Sequence, residues 1–303
     1  MTAKLGVVIV LHGSGDVIGD CLTTLLASAD VTLDIAIVDN ASTDDGPAIA
    51  RAADPGPHRL QVIETGRNGG YASGVNTGLR ILADETALDR FWILNPDTLV
   101  PPETAHRFAT FGAPFGLLGG RVVYADPPGL IQIDGGIINR WTGVTSNLNR
   151  GAPADAPPAQ RAADFVTGAS LVVSRTFLDE VGPMPEDYFL YYEEVAWASR
   201  GQDHAIRHDP QAIVRHRAGT AIGSQTQSRG PSPFSAWFLH RARLRFVRRY
   251  RPTALPGALA YSIGKAVQAV LRRQPRVAAA ILTGSLGIAP PREVREHLAP
   301  GSF

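Results

Sequence analysis

Five short segments carry side chains whose types and spacing could do chemistry. In Asn95-Pro96-Asp97-Thr98, the carboxylate follows the apolar run Phe91 to Leu94. It therefore emerges where a strand ends, and it could hold a hard divalent ion that in turn binds phosphate oxygens. A plain Asx turn leading into a helix after Pro101 accounts for the same residues, because Asn, Pro and Asp are all turn formers. Asp39, in Val38-Asp39-Asn40-Ala41-Ser42, could accept hydrogen bonds from a nucleobase or ribose. It could also cap a helix, although Ser42 and Asp44 are better placed for that. From Gly66 to Gly78 there are five glycines in thirteen residues, which would let backbone N–H groups approach a ligand such as phosphate. A tight turn would use glycines too, but it has no need of the polar groups of Arg67, Asn68 and Asn76. Tyr191-Tyr192-Glu193-Glu194 sets adjacent carboxylates before a helix. In a cleft, repulsion and desolvation would raise a pKa toward that of a general base; in water the pair is only a first helical turn favoured by the dipole. His216, after the strand-like Ala212 to Val214, could ligate metal, meet a phosphate or lie idle on the surface.

The elements that must position these groups alternate. Apolar runs at Leu5 to Leu11, Leu33 to Asp39, Leu60 to Glu64 and Phe91 to Asn95 are separated by helix-like stretches, the pattern of a parallel sheet covered on both faces. Asp16 and Asp44 are candidate caps for the intervening helices. Ligands of such sheets bind beyond the carboxyl ends of the strands, here His12, Asp39, Glu64 and Asp97. Between Phe111 and Phe165 shorter strands and a Gly135-Gly136 turn follow, and then an Ala/Pro-rich stretch from Gly151 to Ala163 that reads as a surface loop with room to move. Past about residue 225 the chain turns helical and basic.

The 303 residues, 44% hydrophobic and 19% charged, have globular composition and suit one large α/β domain with a modest appendage. A single cysteine, Cys21, excludes an internal disulfide and a cysteine-based zinc cluster, and fits a reducing cytoplasm. No run approaches the roughly 18 apolar residues that span a bilayer, and Leu5 to Leu11 reads as a buried strand rather than a signal peptide. The overall charge of +1 hides a polarity: residues 1–199 carry 12 Lys+Arg against 24 Asp+Glu, and residues 200–303 carry 17 against 4. The basic part either faces something anionic or neutralises the acidic half.

In order and spacing, Val38-Asp39-Asn40-Ala41-Ser42, Asn68-Gly69-Gly70-Tyr71-Ala72-Ser73-Gly74-Val75-Asn76-Thr77-Gly78, Leu94-Asn95-Pro96-Asp97, Val166-Thr167-Gly168-Ala169 and Phe189-Leu190-Tyr191-Tyr192-Glu193-Glu194 resemble family 2 glycosyltransferases, above all the bacterial rhamnosyltransferase-like subgroup. The resemblance covers about residues 5 to 220. It implies an α/β GT-A fold, with a Rossmann-like, mostly parallel central sheet flanked by helices and a basic helical C-terminal extension. The catalytic domain would occupy residues 1–225, split into a nucleotide-sugar half (1–100) and an acceptor and catalytic half (101–225), with residues 226–303 as the extension.

It further implies inverting transfer of a sugar, dTDP-rhamnose or a UDP-sugar being the donor, to a hydroxyl of a glycan or lipid-linked acceptor in cell-envelope or polysaccharide synthesis. By the same resemblance Glu194 would be the catalytic base. His12, Asp39, Arg67, Asn68, Asn76, Asn95 and Gly168 would line the donor site. Asp97 and His216 would hold Mg²⁺ or Mn²⁺, and Glu193, Arg200 and Trp141 would support the acceptor. Three positions depart from the family pattern: Glu194 where Asp is usual, Ala196 where a further acid is usual, and His12-Gly13 in place of a Tyr-Asn pair.

The segment His240 to Arg251 holds six Arg and no acid, and is followed by Leu259, Ile263, Ala266, Val267 and Val270 at helical spacing. This combination suits a peripheral position on an anionic membrane, on the cytoplasmic face; packing on the catalytic domain is the alternative. No nucleic-acid module is recognisable. An α/β hydrolase lacks its G-x-S-x-G, and a dinucleotide oxidoreductase lacks G-x-G-x-x-G after the first strand. The remaining alternative is a catalytically inactive protein that binds sugar nucleotides or glycans.

Overall fold

The computed structural model describes residues 2–85, 87–217 and 231–295, so the boundary expected at residues 225–226 lies outside the described residues. The first half runs β1 (Ala3–Leu11), α1 (Gly15–Leu26), β2 (Val31–Asp39), α2 (Gly46–Ala52), β3 (Arg59–Glu64), α3 (Tyr71–Ala83), β4 (Arg90–Leu94), β5 (Thr98–Leu99) and α4 (Thr104–Thr110). There follow β6 (Leu117–Tyr124), β7 (Ile131–Ile133), β8 (Gly136–Ile138), β9 (Thr145–Asn147), β10 (Ser170–Ser174), α5 (Arg175–Val181), α6 (Glu193–Arg200) and β11 (Ile206–His216). The basic region forms α7 (Pro233–Tyr250), α8 (Leu255–Leu271) and α9 (Pro275–Leu286). All four expected strands of the first hundred residues are present.

The main sheet has the order β3-β2-β1-β4-β10-β6-β11-β5, with β7 beside β6. Strands β3, β2, β1 and β4 are mutually parallel, β11 is parallel to β6, and β10 runs antiparallel between β4 and β6. Both faces are buried, and the pleat divides them cleanly. On β1, Val8 and Val10 join the core under α3, whereas Val7, Ile9 and Leu11 join the core under α1 and α4. Two of the glycines assigned by sequence to a phosphate loop serve this packing instead. Gly74 and Gly78 lie inside α3, where a Cβ would stand 2.6 Å from Val10 Cγ1 and 2.5 Å from Val8 Cγ1. Only a bare backbone allows the helix so close to the sheet.

Helix caps also differ from expectation. Asp16 sits in the first turn of α1, but the carboxylate that meets the helix starts is that of Asp44, which accepts from Gly15 N at 2.6 Å and Gly46 N at 3.3 Å. One side chain thus serves the amino ends of both α1 and α2, where a negative charge is favoured.

The stretch 151–163 is latched rather than free. Arg121 and Asp134, both buried, form a bidentate pair at 2.9 and 2.6 Å, and Arg121 Nη1 donates to the carbonyls of Ala154 and Ala156. Asn149 Nδ2 donates to Asp134 Oδ2 at 2.8 Å and to Pro157 O. Removing one partner of a buried pair strands the other's charge. Asp134→Ala is therefore expected to cost about 3–5 kcal/mol in denaturant unfolding and to open residues 151–163 to limited proteolysis; an unchanged unfolding midpoint would contradict the latch.

Candidate active site

The parallel register brings the carboxyl ends of β1, β2 and β3 level, with Leu11 beside Asp39 and Asp39 beside Glu64. Just beyond this edge the polar groups knit together. His12 Nδ1 is 3.0 Å from the Asn40 carbonyl, Asn40 Nδ2 donates to Gly70 O at 2.8 Å, and Thr65 Oγ1 donates to Asp39 O at 3.0 Å. Buried Asp39 closes an Asx turn by accepting from Ser42 N at 2.9 Å, so the turn and a ligand compete for one carboxylate. Asn68 Oδ1 accepts from Gly70 N at 3.0 Å, and Arg67 is exposed on the same loop. Glu64, named by position alone, is instead exposed and ion-paired with Arg51.

A second group gathers where β4 and β11 end. Asp97 is buried, its Oδ1 lies 3.1 Å from His216 Nε2, and Arg217 N donates to its carbonyl at 2.9 Å. His216 pairs with Thr98 of β5 across the sheet, and its Nδ1 is 2.9 Å from Gln132 Oε1. The donor set is one carboxylate and one imidazole held by a second-sphere amide. Among the described residues no group of three His, Cys, Asp or Glu side chains gathers as a metal cage. Two ligands of this kind nevertheless fit Mg²⁺ or Mn²⁺, which commonly complete their shells with water and substrate phosphates.

Tyr71 joins this group to the acidic pair. Its hydroxyl donates to the Gly168 carbonyl at 2.7 Å and lies 3.3 Å from Asn95 Oδ1. Burial, reinforced by the nearby carboxylates of Glu194, Glu193 and Asp97, holds the Tyr71 hydroxyl well above the usual phenol range. One side chain thus feels Asp97 and Glu194 together, two residues far apart in sequence. Tyr71→Phe leaves the Gly168 carbonyl without this donor, and its expected cost is about 1–2 kcal/mol of unfolding free energy, measurable in urea; no loss would mean that the hydroxyl is dispensable.

The segment before α6 is strained. Phe189, Tyr191 and Tyr192 all have φ near +69° (69°, 68° and 69°), a region that bulky side chains avoid at about 1–3 kcal/mol each. Packing enforces it. Tyr71 N donates to Phe189 O at 3.0 Å, and Gly70, itself at φ 89°, must be glycine because a Cβ would stand 2.6 Å from that same oxygen. Tyr192 donates its hydroxyl to Gly143 O at 2.7 Å and packs on Phe246 of α7, while Phe189 stacks on Phe238. The result presents Glu193 and Glu194 at the amino end of α6. Glu193 is 2% exposed and its Oε1 has no hydrogen-bond partner among the described residues; burial first, and Glu194 second, push its pKa well up. Glu194 is partly exposed, and desolvation raises its carboxyl to about 7 against opposing backbone hydrogen bonds. The pair is therefore not a solvated helical turn.

Some expected site residues are placed elsewhere. Asn76 is buried with its amide spent on Met184 N and O and on Glu186 Oε1, and Arg200 donates to the Pro183 carbonyl. Together with Trp197, which donates to Gly182 O, they tie down the loop leading to the strained segment; for Asn76 this corrects the expectation of donor contact. Trp141 is exposed, with Arg140 over its ring and its backbone against Gly257 of α8. Sequence reasoning did not single out Tyr71, Asn40 or Gln132. The first two lie inside the Val38–Ser42 and Asn68–Gly78 motifs, while nothing local marks Gln132.

The run His240 to Arg251 belongs to α7, and much of it faces inward. Arg243 is buried, donating to Thr142 O, Ala258 O and Ser262 Oγ, and Arg245 and Arg249 approach Asp187 at 3.6 Å. These arginines of α7 thus brace the segment that carries Glu194, in line with the alternative of packing on the catalytic domain.

Residues 6–114 match the family described as Glycosyl transferase family 2. A low-salt glycan biosynthesis hexosyltransferase of Haloferax volcanii is 22% identical over 217 residues, 68% of this chain and 64% of its own, so the match spans just under two thirds of that relative. An N-acetylglucosaminyl-diphospho-decaprenol L-rhamnosyltransferase of Mycobacterium tuberculosis is 27% identical over 262 residues, 75% of this chain and 80% of its own. Among solved structures, a mannosyltransferase from Pyrobaculum calidifontis in complex with GDP-Man and Mn²⁺ superposes with a TM-score of 0.57 at 15% identity, covering 94% of this chain and 87% of the other. TarS of S. aureus in complex with UDP-GlcNAc does so with 0.54 at 15% identity, covering 97% and 84%. These likenesses establish the GT-A fold.

Proposed function

We propose that this chain, whose residues 6–114 match glycosyl transferase family 2 and whose fold is GT-A, transfers a sugar, with inversion, from a nucleoside diphosphate donor to a hydroxyl of a glycan or lipid-linked acceptor. The observation that carries this reading is the junction at Tyr71, whose half-buried hydroxyl reaches Asn95 and the Gly168 carbonyl beside Asp97 and is raised in pKa by burial and by the carboxylates of Glu194 and Asp97. A metal-phosphate group and a base near neutrality are what such a transfer requires at one place.

In this reading Asp39, with His12, Arg67 and Asn68 beside it, meets the nucleoside, and Asn95 and Gly168 border the diphosphate. Asp97 and His216 would hold Mg²⁺ or Mn²⁺, an ion that would supply positive charge against the leaving diphosphate. Glu194 takes the proton from the acceptor hydroxyl as its oxygen attacks the anomeric carbon from the face opposite the diphosphate. Glu193, Arg200 and Trp141 act in support. Only one base is needed, since the diphosphate leaves without an acid.

The relative from Mycobacterium tuberculosis favours rhamnose as the sugar and a lipid diphosphate as the acceptor, which would place the enzyme at the cytoplasmic face of a membrane. Residues 1–225 would form the catalytic domain and 226–303 its basic brace. The test is a melting panel of uridine, deoxythymidine and guanosine diphosphates and their sugars, with Mg²⁺, Mn²⁺ or chelator. A metal-dependent rise for one nucleotide is expected, since a ligand bound only to the native state must stabilise it. If no nucleotide shifts the protein, the reading fails.

A further inference from the structure

Helices α8 and α9 pack on α7 and on each other through Ala258, Ser262, Ala266 and Ala269 of α8 and Val277, Ile281 and Gly284 of α9. Their opposite faces are bare and apolar. Ile263, Val267, Val270 and Leu271 follow one another at helical spacing on α8, and Leu282 and Leu286 do so on α9, with Val267 52%, Leu271 79% and Leu286 59% exposed. Single exposed apolar residues are ordinary, but a run of them on adjoining helices marks a surface that something covers. At the turn joining the two helices, Arg272, Arg273 and Arg276 are exposed. No Asp or Glu occurs anywhere from residue 210 to residue 292.

We propose that the α8–α9 hairpin is a membrane-docking face that lies on an anionic phospholipid bilayer, its leucines and valines in the acyl boundary and the turn arginines on headgroup phosphates. What covers this face must offer an apolar interior bordered by negative charge, and an anionic bilayer offers both. A second copy of the chain, related by a twofold axis, would instead bring two basic rims together. No described helix is long and apolar enough to cross a membrane, so the hairpin lies on the surface rather than spanning it. Helix α7 touches both the hairpin and the Asp187–Tyr192 segment, so docking would fix the orientation of the site carrying Glu194. That purpose rests on the proposed lipid-linked acceptor; the docking itself does not.

Flotation of the full chain with phosphatidylglycerol–phosphatidylcholine vesicles, against phosphatidylcholine alone, tests the face. The wild type is expected to float with the anionic vesicles only, less so as salt rises. Val267→Asp/Leu271→Asp is expected to lower partitioning by about tenfold or more, and Arg272→Glu/Arg273→Glu to do so while leaving the apolar face intact. Both substitute exposed side chains, so the circular dichroism and the metal-dependent nucleotide shift should match the wild type. Wild type that ignores anionic vesicles, or variants that float as it does, would overturn the proposal. So would an apolar-face variant that dissociates a dimer in sedimentation without changing flotation, which gives the face to a second copy. Vesicle binding with no nucleotide shift in the wild type would support the docking face and sink the transferase reading.

Discussion

Asp97→Ala should abolish the metal-dependent stabilisation by nucleoside diphosphate and lower kcat/KM by roughly a thousandfold or more. Among the described residues Asp97 is the only carboxylate paired with His216, and no larger cluster of metal-ligating side chains could take over. Without it a divalent ion would keep one imidazole and the substrate's own oxygens, and the charge on the departing diphosphate would lose most of its partner. A ligand at a hundred times its dissociation constant contributes about 2.7 kcal/mol of stability, and that whole increment should vanish. Folding should survive, because the hydrogen bond from Arg217 N is to the backbone carbonyl of Asp97, which the substitution keeps. Chelator and Asp97→Ala should then give the same melting curve. A variant that retains a metal-dependent shift would move the ion elsewhere.

Glu194→Gln should lower kcat by about a hundredfold to ten-thousandfold, the range in which a positioned base contributes. It should leave nucleotide binding nearly untouched, since in the proposed reaction Glu194 acts on the acceptor. The wild-type rate should climb as pH rises through about 7, where the Glu194 carboxyl ionises. The same shift has a stability sign. The folded carboxyl holds its proton up to about 7, while the unfolded one releases it near the ordinary value of 4.5. Between these values the native state binds the extra proton, so its stability falls as pH rises through the window and is lowest above 7. The cost is on the order of 2 kcal/mol after allowance for partial exposure. Glutamine carries no charge to desolvate, so Glu194→Gln should melt at or above the wild type at pH 8 and lose that advantage at pH 4. An inactive variant that melts well below the wild type at pH 8 would point to a structural role. Glu193 is more deeply buried, and burial first, with Glu194 second, pushes its carboxyl well above the usual range.

How legible the molecule was depends on the range of the interaction. Strands β1, β2 and β4 stood out because each is a short apolar run buried on both faces, a property that depends on composition alone, whereas β3 lies half-exposed at the sheet edge. Asp39 and Asp97 stood out because strand ends are where such sheets bind ligands. The glycines misled: Gly70 is forced by its backbone angle and by Phe189, but Gly74 and Gly78 answer to Val10 and Val8 across the helix–sheet interface, and no local pattern separates these demands. Asn76 misled for a similar reason, its partners lying about 110 residues away. The arginines of α7 looked like a surface because charge along a helix gives no account of what packs against it; Thr142, Ser262 and Asp187 supply the partners.

The sequence by itself determined the alternating α/β architecture, the order of the motifs and the chemical types at the site, since these follow from local hydrophobic period and residue identity. Tertiary structure alone decided that Tyr71 bridges Asn95 and Gly168 beside both carboxylates, that Gln132 backs His216, and that strained Phe189, Tyr191 and Tyr192 deliver Glu194 partly exposed and with its carboxyl raised by desolvation. Hydrogen-bond geometry, strain and dielectric surroundings depend on chain segments brought together from a hundred residues apart, and a linear pattern holds no record of that distance.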